Sequence, residues 1–296
     1  MHRSLALLAA LLAALAGCRA ATRESATLMI VVDGAPRIAI VHVPPHVAAR
    51  PALILDLHGS SSTAAGQQRF SNLDAAADTN GFVVAYPQAT IAAGDGFDWN
   101  IPGVPLANGA AVPAGAANDE HFLVQLIDTL EQRYGVDPKR VYATGMSGGG
   151  RMASQLGCDL STVVAAVAPV AGLRFPAPCT SQRAAPMIAF HGTADPIDRY
   201  DGNGSGHWTY SVPVAADRWA AHDGCSAAPV RSQPAPTVEL ATYCSAVELY
   251  SIAGEGHEWP GGPPMPARIT SRLGPQSDAI DANATMWQFF AQHPLP

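Results

Sequence analysis

The chain has 296 residues, of which 48% are hydrophobic and 14% are charged, and its net charge at pH 7 is -7. A chain of this length can bury one large core, and nothing in the composition requires a second domain. The acidic balance and the lack of a basic stripe argue against a nucleic-acid binder, because such a protein must neutralise phosphates with Lys and Arg.

The first 18 residues have the pattern of an export signal. Arg3 is followed by an apolar run over residues 5–16, which is shorter than the roughly 20 residues that span a bilayer. We therefore predict a signal peptide over residues 1–17. The sequence Leu15-Ala16-Gly17-Cys18 resembles a bacterial lipoprotein box, in which Cys18 carries the lipid. The alternative is an ordinary secretory signal that leaves Cys18 unmodified. A tether over residues 18–27 and one folded domain over residues 28–296 would follow.

Strands and helices alternate along the rest of the chain, which predicts an α/β fold. Several strands are continuous apolar runs, as is typical of parallel strands buried on both faces of a sheet. The predicted strands cover residues 28–32, 37–43, 52–57, 81–87, 141–143, 163–170, 187–190 and 247–252. The predicted helices cover residues 70–79, 119–134, 151–156, 217–222 and 281–292.

The longest irregular stretch covers residues 88–118 and contains an aromatic and polar cluster around Trp99 and Asn100. Loops of this length are uncommon in compact domains and often carry function. We expect Trp99, Asn100 and, further along the chain, Trp259 to line a substrate cleft. For Trp99, the alternative is that the indole only attaches the loop to the body of the protein.

The stretch with the strongest chemical signal is Gly145-Met146-Ser147-Gly148-Gly149, which lies between a predicted strand and a predicted helix. Gly-x-Ser-x-Gly in this context predicts a nucleophile elbow, a sharp turn that presents the serine to substrate. The flanking glycines permit the close approach of strand and helix. The helix N-terminus would favour a developing oxyanion. Ser147 is therefore the candidate nucleophile.

An acid and a base follow Ser147 in the chain order that such a fold requires. Asp195 lies just beyond a strand end and is the predicted acid, with Asp198 and Asp201 as rivals in the following loop. His257 lies in a glycine-flanked loop after the final strand and is the predicted base. His58 precedes a glycine at a strand end, and we expect it to be structural.

Backbone N–H groups near the nucleophile would form the oxyanion hole. The residue after a nucleophile serine supplies one donor, here Gly148, and the loop after the third strand supplies another. We assign Gly59 and Ser60 to that loop.

Four cysteines remain after Cys18 is set aside, and in an exported protein four cysteines predict two disulfides with three possible connectivities. Local spacing favours Cys158 with Cys179 and Cys225 with Cys244. Their scatter argues against a zinc site, and we expect no metal.

A set of motifs across the mature chain resembles the polyhydroxybutyrate depolymerase and feruloyl esterase group of secreted serine esterases. These motifs are Leu57-His58-Gly59, Asp98-Trp99-Asn100, Val136-Asp137-Pro138, Val141 to Gly149, Ala168 to Gly172, His191 to Asp195 and Gly256 to Gly261. The resemblance implies an α/β-hydrolase fold with a mostly parallel sheet flanked by helices. It also implies ester substrates: polyhydroxyalkanoates, hydroxycinnamate esters or acetylated xylan.

We therefore expect a secreted or envelope-located serine esterase that needs no cofactor and meets the membrane only through Cys18. His257 would deprotonate Ser147, and Asp195 would hold the imidazole in the required tautomer. Two alternatives are an acyl transferase or peptidase with the same triad, and a catalytically silent binding lipoprotein. The order and context of the three residues favour the esterase.

Overall fold

A computed structural model describes residues 25–181, 183 and 185–296 of the chain. The strands of this part are β1 Ser25–Val32, β2 Ala35–His42, β3 Leu53–Leu57, β4 Val83–Pro87, β5 Ile91–Ala93, β6 Gly96–Asp98, β7 Val141–Met146, β8 Ala166–Val170, β9 Met187–Gly192, β10 Val230–Ala235, β11 Val238–Tyr243 and β12 Val247–Ile252. The helices are α1 Ala64–Ser71, α2 Leu73–Asn80, α3 Asp119–Tyr134, α4 Gly148–Asp159, α5 Val212–His222, α6 Ala267–Leu273 and α7 Ala282–Gln292.

The larger sheet has the strand order β1-β2-β4-β3-β7-β8-β9-β12-β11-β10. Its centre, from β4 to β12, is parallel, and the pairs at both ends are antiparallel. Because the carboxyl ends of parallel strands meet at one edge, the segments that follow β3, β7, β9 and β12 lie close together. Those segments carry the predicted site residues.

Helices cover both faces of the sheet, and alternate residues of one strand supply the two hydrophobic cores. In β3, Leu53, Leu55 and Leu57 belong to the core that includes residues of α3 and α4. Ile54 belongs to the opposite core, with residues of α2 and α7. Apart from the buried Asp56, the residues of β3 are apolar, as expected for a strand that is buried on both faces. The predicted α/β-hydrolase architecture is confirmed.

The elements with the clearest sequence patterns have nearly the predicted bounds. Helix α3 covers residues 119–134 as predicted, and Asn118 caps it by accepting a hydrogen bond from the His121 N–H, 3.0 Å away. Strand β1 begins at Ser25, so residues 25–27 belong to the sheet and not to the predicted tether. Residues 1–24, with the predicted signal peptide and Cys18, lie outside the described part.

Several regions differ from the prediction. The single helix expected over residues 70–79 is two helices, because Asn72 adopts a left-handed conformation with φ of 50°. The loop over residues 88–118 contains the β5–β6 hairpin. Strands β10 and β11 extend the sheet beyond β12, and β10 was missed because its exposed, polar residues give no apolar pattern.

Both predicted disulfides are present, joining Cys158 to Cys179 and Cys225 to Cys244. Each closes a short segment of the chain, with sequence separations of 21 and 19 residues. In the described ranges, no helix has the length and apolar character needed to cross a membrane.

Helix α4 packs so closely against β3 that only glycine fits at the contact. A Cβ atom on Gly149 would overlap the carbonyl oxygen of Leu57, which belongs to the backbone and cannot move aside. A Cβ on Gly145 would lie 2.5 Å from the same oxygen. The close packing determines where α4 begins, and therefore where Ser147 lies.

We predict that Gly149→Ala lowers the free energy of unfolding by roughly 3 kcal/mol or more, because backbone must shift to admit the methyl group. Gly206→Ala is the control, since its Cβ would meet only the Pro105 side chain, at 3.1 Å. Urea unfolding of both variants measures the difference. Equal stability of the two variants would contradict the packing described here.

Candidate active site

Ser147 lies in the tight turn between β7 and α4. Its backbone has φ of 55° and ψ of -114°, a conformation that non-glycine residues rarely adopt. The turn is held on both sides: the Ser147 N–H donates to the Val170 carbonyl, and its carbonyl accepts from the Arg151 N–H, each at 2.9 Å. Strain of this kind persists only where the surroundings over-determine it, which is typical of functional sites.

The predicted acid and base lie in contact at the same edge of the sheet. His257 follows β12 and Asp195 follows β9, and Nδ1 of His257 is 2.7 Å from Oδ2 of Asp195. His257 and Ser147 line the same two cavities. The structure therefore brings together all three residues that the sequence predicted as a triad.

Asp195 is held as an anion by the groups around it. Burial alone would raise the pKa of its carboxyl, but His191 and His257, whose ring nitrogens lie 3.3 and 2.7 Å from Oδ2, outweigh burial and hold the pKa below its usual range. Its other oxygen, Oδ1, accepts from the backbone N–H groups of Ile197 and Asp198, at 2.7 and 2.9 Å. Asp195 thus remains charged and can orient the His257 imidazole.

Two further carboxyl groups flank His257 in the chain and behave differently. Glu255 and Glu258 are buried, and burial raises their pKa values to about 8 and about 7. At neutral pH Glu255 is therefore mostly protonated and Glu258 is about half protonated, while Asp195 is fully ionised. The environment thus separates the ionisation of Asp195 from that of the two neighbouring glutamates.

The predicted oxyanion-hole residues lie side by side next to Ser147. A Cβ atom on Gly148 would lie 2.9 Å from the Ser60 nitrogen, so the loop after β3 is in close contact with the start of α4. Gly59 and Ser60 line one cavity with Ser147, and Ser60 lines the second as well. Ser60 and Gly148, whose backbone N–H groups are the candidate donors, are thus in contact.

His58 supports this loop from behind, in the structural role expected for it. The imidazole is buried, and Nε2 accepts from the Ala89 N–H at 3.1 Å, which leaves Nδ1 to donate to the Gly59 carbonyl, 2.9 Å away. That carbonyl belongs to the same peptide group as the Ser60 N–H. Because carbonyl and N–H point in opposite directions in a trans peptide, His58 fixes the direction of the Ser60 N–H.

Two cavities meet at Ser147 and His257. The first, which we call the apolar cavity, has a volume of about 570 Å³. Its apolar side chains come from Phe70, Met146, Met265, Pro266 and Leu273. The second, which we call the polar cavity, has a volume of about 550 Å³. Its polar side chains include those of Ser61, Ser62, Arg151, Asp198, His207 and Arg272.

The three residues predicted to line the cleft do not line either cavity. Trp99 is buried beneath the loop after β3, His58 to Ser60, which we call the oxyanion loop, and its Nε1 donates to the His58 carbonyl at 2.7 Å. Asn100 donates through its side chain to the Ala117 carbonyl at 2.9 Å. Trp259 is fully buried and donates to Asn283. Their predicted role is corrected: Trp99 and Trp259 pack behind the site, and Asn100 holds the loop closed.

The residues that form most of the cavity walls were not singled out from the sequence. Met265 and Leu273 come from the region of α6, a helix that no periodic pattern of apolar residues in the sequence predicted. Asp198, a rival for the acid, instead pairs with Arg151, with Nη1 2.5 Å from Oδ2. The other rival, Asp201, is exposed. The strand-end position of Asp195 was the informative signal.

Comparison with known proteins places this geometry in a family context. Residues 38–207 match the family model described as Esterase PHB depolymerase. A bifunctional acetylxylan esterase/xylanase of Neocallimastix patriciarum is 32% identical over 169 residues, which are 57% of this chain and 23% of that protein. Feruloyl esterase B of Piromyces equi is 32% identical over 156 residues, which are 48% of this chain and 29% of that protein. The chain thus spans less than a third of the length of these curated relatives.

Among solved structures, an acetyl xylan esterase from Aspergillus awamori superposes with a TM-score of 0.64 and 16% sequence identity. The superposition covers 90% of this chain and 99% of that one. At this identity the similarity concerns the fold.

The buried His58 generates a prediction about pH. Burial lowers the pKa of His58 to about 4, against about 6.5 in the unfolded chain. The unfolded state therefore binds the proton more tightly than the folded state. As a result, the protein loses stability as the pH falls from 6.5 towards 4. His58→Gln removes this titration. We predict that the gap in unfolding free energy between wild type and His58→Gln narrows by about 2 to 3 kcal/mol from pH 7 to 4.5.

Urea unfolding of both proteins at several pH values measures the gap. Taking the difference between the two proteins removes the contributions of other buried groups, such as Glu255 and Asp56, whose raised pKa values act in the opposite direction. A gap that stays constant would show that His58 is not held neutral.

Proposed function

Because the chain belongs to the Esterase PHB depolymerase family, we propose that it hydrolyses carboxylic esters through Ser147, His257 and Asp195. The observation that carries this proposal is the strained turn at Ser147, which places the serine in the wall of the same cavities as His257. His257 is in turn paired with the ionised Asp195. A binding protein has no use for a serine held at φ of 55° beside an oriented imidazole.

In the acylation step, Nε2 of His257 accepts the Ser147 proton as Oγ attacks the ester carbonyl carbon. Nδ1 meanwhile donates to Asp195, which fixes the tautomer and stabilises the imidazolium. The imidazolium then gives its proton to the leaving alkoxide, and the C–O bond to the alcohol breaks.

The tetrahedral intermediate carries an oxyanion that needs donors. The N–H groups of Ser60 and Gly148 would supply them, and one such donor is worth about 3 to 4 kcal/mol in related chemistry. His257 then removes a proton from a water molecule as the water oxygen attacks the acyl-enzyme, and returns it to Ser147 Oγ as the bond between Oγ and the acyl carbon breaks and the acid is released. None of these steps calls on a metal or organic cofactor.

The apolar cavity supports a proposal about the acyl group. Its volume of about 570 Å³ and its Phe70, Met146 and Leu273 side chains suit an aromatic or medium-length aliphatic acyl chain better than an acetyl group. Of the two relatives, the feruloyl esterase is named for an aromatic acyl group, which is the kind of group that this cavity suits. A hydroxycinnamate ester is therefore the preferred substrate, and a hydroxyalkanoate oligoester is the second candidate.

We also propose that the protein acts outside the cytoplasm. The two disulfides support this location, because such bonds persist in oxidising compartments. A signal peptide over residues 1–17 and a lipid on Cys18 would retain the enzyme at the cell envelope. Intact-mass measurement of the protein from its membrane fraction tests the lipid.

Initial rates on methyl ferulate, p-nitrophenyl acetate, p-nitrophenyl butyrate and polyhydroxybutyrate film test the function. We predict that Ser147→Ala loses activity on every cleaved ester by several orders of magnitude. The butyrate ester should exceed the acetate ester in kcat/KM by roughly tenfold, since each additional buried methylene is worth about 0.8 kcal/mol.

Each substrate has a defined consequence. Rapid methyl ferulate turnover supports the hydroxycinnamate assignment, and hydroxybutyrate release with little ferulate turnover moves it to a polyester. A preference for acetate over butyrate would contradict the acyl role of the apolar cavity. Activity that survives in Ser147→Ala would remove the esterase proposal.

A further inference from the structure

An ion pair between Arg151 and Asp198 lies in the wall of the polar cavity. Arg151 is one helical turn after Ser147, and both members of the pair are almost fully buried, with side-chain exposures of 4% and 1%. The guanidinium donates through Nη1 to Asp198 at 2.5 Å and through Nη2 to the Ser60 hydroxyl at 3.3 Å. One side chain thus joins the loop after β3 to the loop after β9.

Each end of this connection touches a group that the proposed reaction uses. Ser60 carries one of the oxyanion-hole N–H groups, and its Oγ would lie 2.5 Å from a Cβ atom on Gly148, the other donor. At the opposite end, the Asp198 N–H donates to Asp195 Oδ1 at 2.9 Å. The Asp198 carbonyl accepts from His191 Nε2 at 2.7 Å. The pair therefore connects the oxyanion loop with the residue that orients the base.

Stability alone gives little reason for this arrangement. A cation in the first turn of a helix opposes the helix dipole. A buried ion pair can often be replaced by apolar residues of similar size at no cost in stability, since desolvation of both charges offsets their attraction. Asp198 also largely cancels the Arg151 charge, so a direct attraction to the oxyanion is weak. What remains is geometry: two directed hydrogen bonds from one planar group.

We propose that the Arg151–Asp198 pair is a positioning device. It holds the Ser60 N–H and the Asp195 loop at the relative positions that stabilise the transition state. This role rests on the proposed esterase function. Arg151 acts through Ser60 and Asp198, and it is not itself a catalytic residue. Its removal leaves substrate binding intact and weakens the interactions made only in the transition state.

The test uses the neutral double variant Arg151→Met/Asp198→Asn, which avoids leaving one buried charge unpaired. A matched control exists in the chain: Arg37 and Asp119 form another buried ion pair, with Nη2 2.5 Å from Oδ1 and exposures of 2% and 1%. Neither Arg37 nor Asp119 lines the two cavities at Ser147. Arg37→Met/Asp119→Asn therefore loses a buried pair of similar geometry outside the cavity walls, and the amide oxygen at position 119 can still accept from the Asn100 N–H.

Rates are normalised to the concentration of active sites titrated with a fluorophosphonate. For the Arg151 double variant we expect kcat to fall by about 10- to 100-fold while KM changes by less than about threefold, because small displacements of oxyanion donors have effects of this size. The inhibition constant of a trifluoromethyl ketone, which forms the tetrahedral oxyanion adduct, should rise by the same factor as kcat/KM falls. The control pair should keep its kcat and its inhibition constant.

Ser60→Ala supplies a second measurement, since it keeps the N–H and removes the hydroxyl that accepts from Arg151. It should lower kcat, and combining it with the Arg151 double variant should cause no further loss. Normal kcat in both variants, or a raised KM with unchanged kcat, would overturn the positioning role. Failure of the esterase proposal looks different, because wild type itself would then show no Ser147-dependent turnover.

Discussion

The contact between the start of α4 and the end of β3 determines the geometry of the whole site. Gly149 lies against the Leu57 carbonyl with no room for a Cβ atom. This packing forces the chain to turn sharply at Ser147, and the turn requires the strained φ of 55° at that residue. The same contact brings the His58–Ser60 loop against Gly148. The close contact between the backbones of α4 and β3 thus positions both the nucleophile and the oxyanion donors, and it does so without any contact between the side chains of the triad.

Burial then decides which titratable groups near the site are charged. His58 is held neutral behind the oxyanion loop, and burial raises the pKa of Glu255 to about 8 and that of Glu258 to about 7. Asp195 remains an anion because two imidazoles and two backbone N–H groups surround it. One fixed negative charge next to His257 is what a base needs to become an imidazolium during catalysis. The other titratable groups near His257 are present in the site, and their burial disfavours their charged forms.

The sequence predicted those parts of the molecule that follow from local patterns. Most residues of the parallel strands are apolar, and the residues after β7, β9 and β12 are marked by their position at strand ends. Trp99 and Trp259 were misplaced, because an aromatic residue in a motif can equally pack behind a site or line it. The Arg151–Asp198 pair joins residues 47 positions apart. Only the strand order brings them together, so neither residue type nor spacing could indicate the contact.

Mass spectrometry after reaction with a fluorophosphonate tests whether Ser147 is an activated nucleophile. We expect one adduct per chain, located on the peptide that contains Ser147, and its formation should be slowed by a competing ester substrate. We expect no adduct in Ser147→Ala, and slow labelling in Asp195→Asn, where the His257 tautomer is no longer held. An unlabelled wild-type chain, or an adduct on another serine, would show that Ser147 is not the nucleophile.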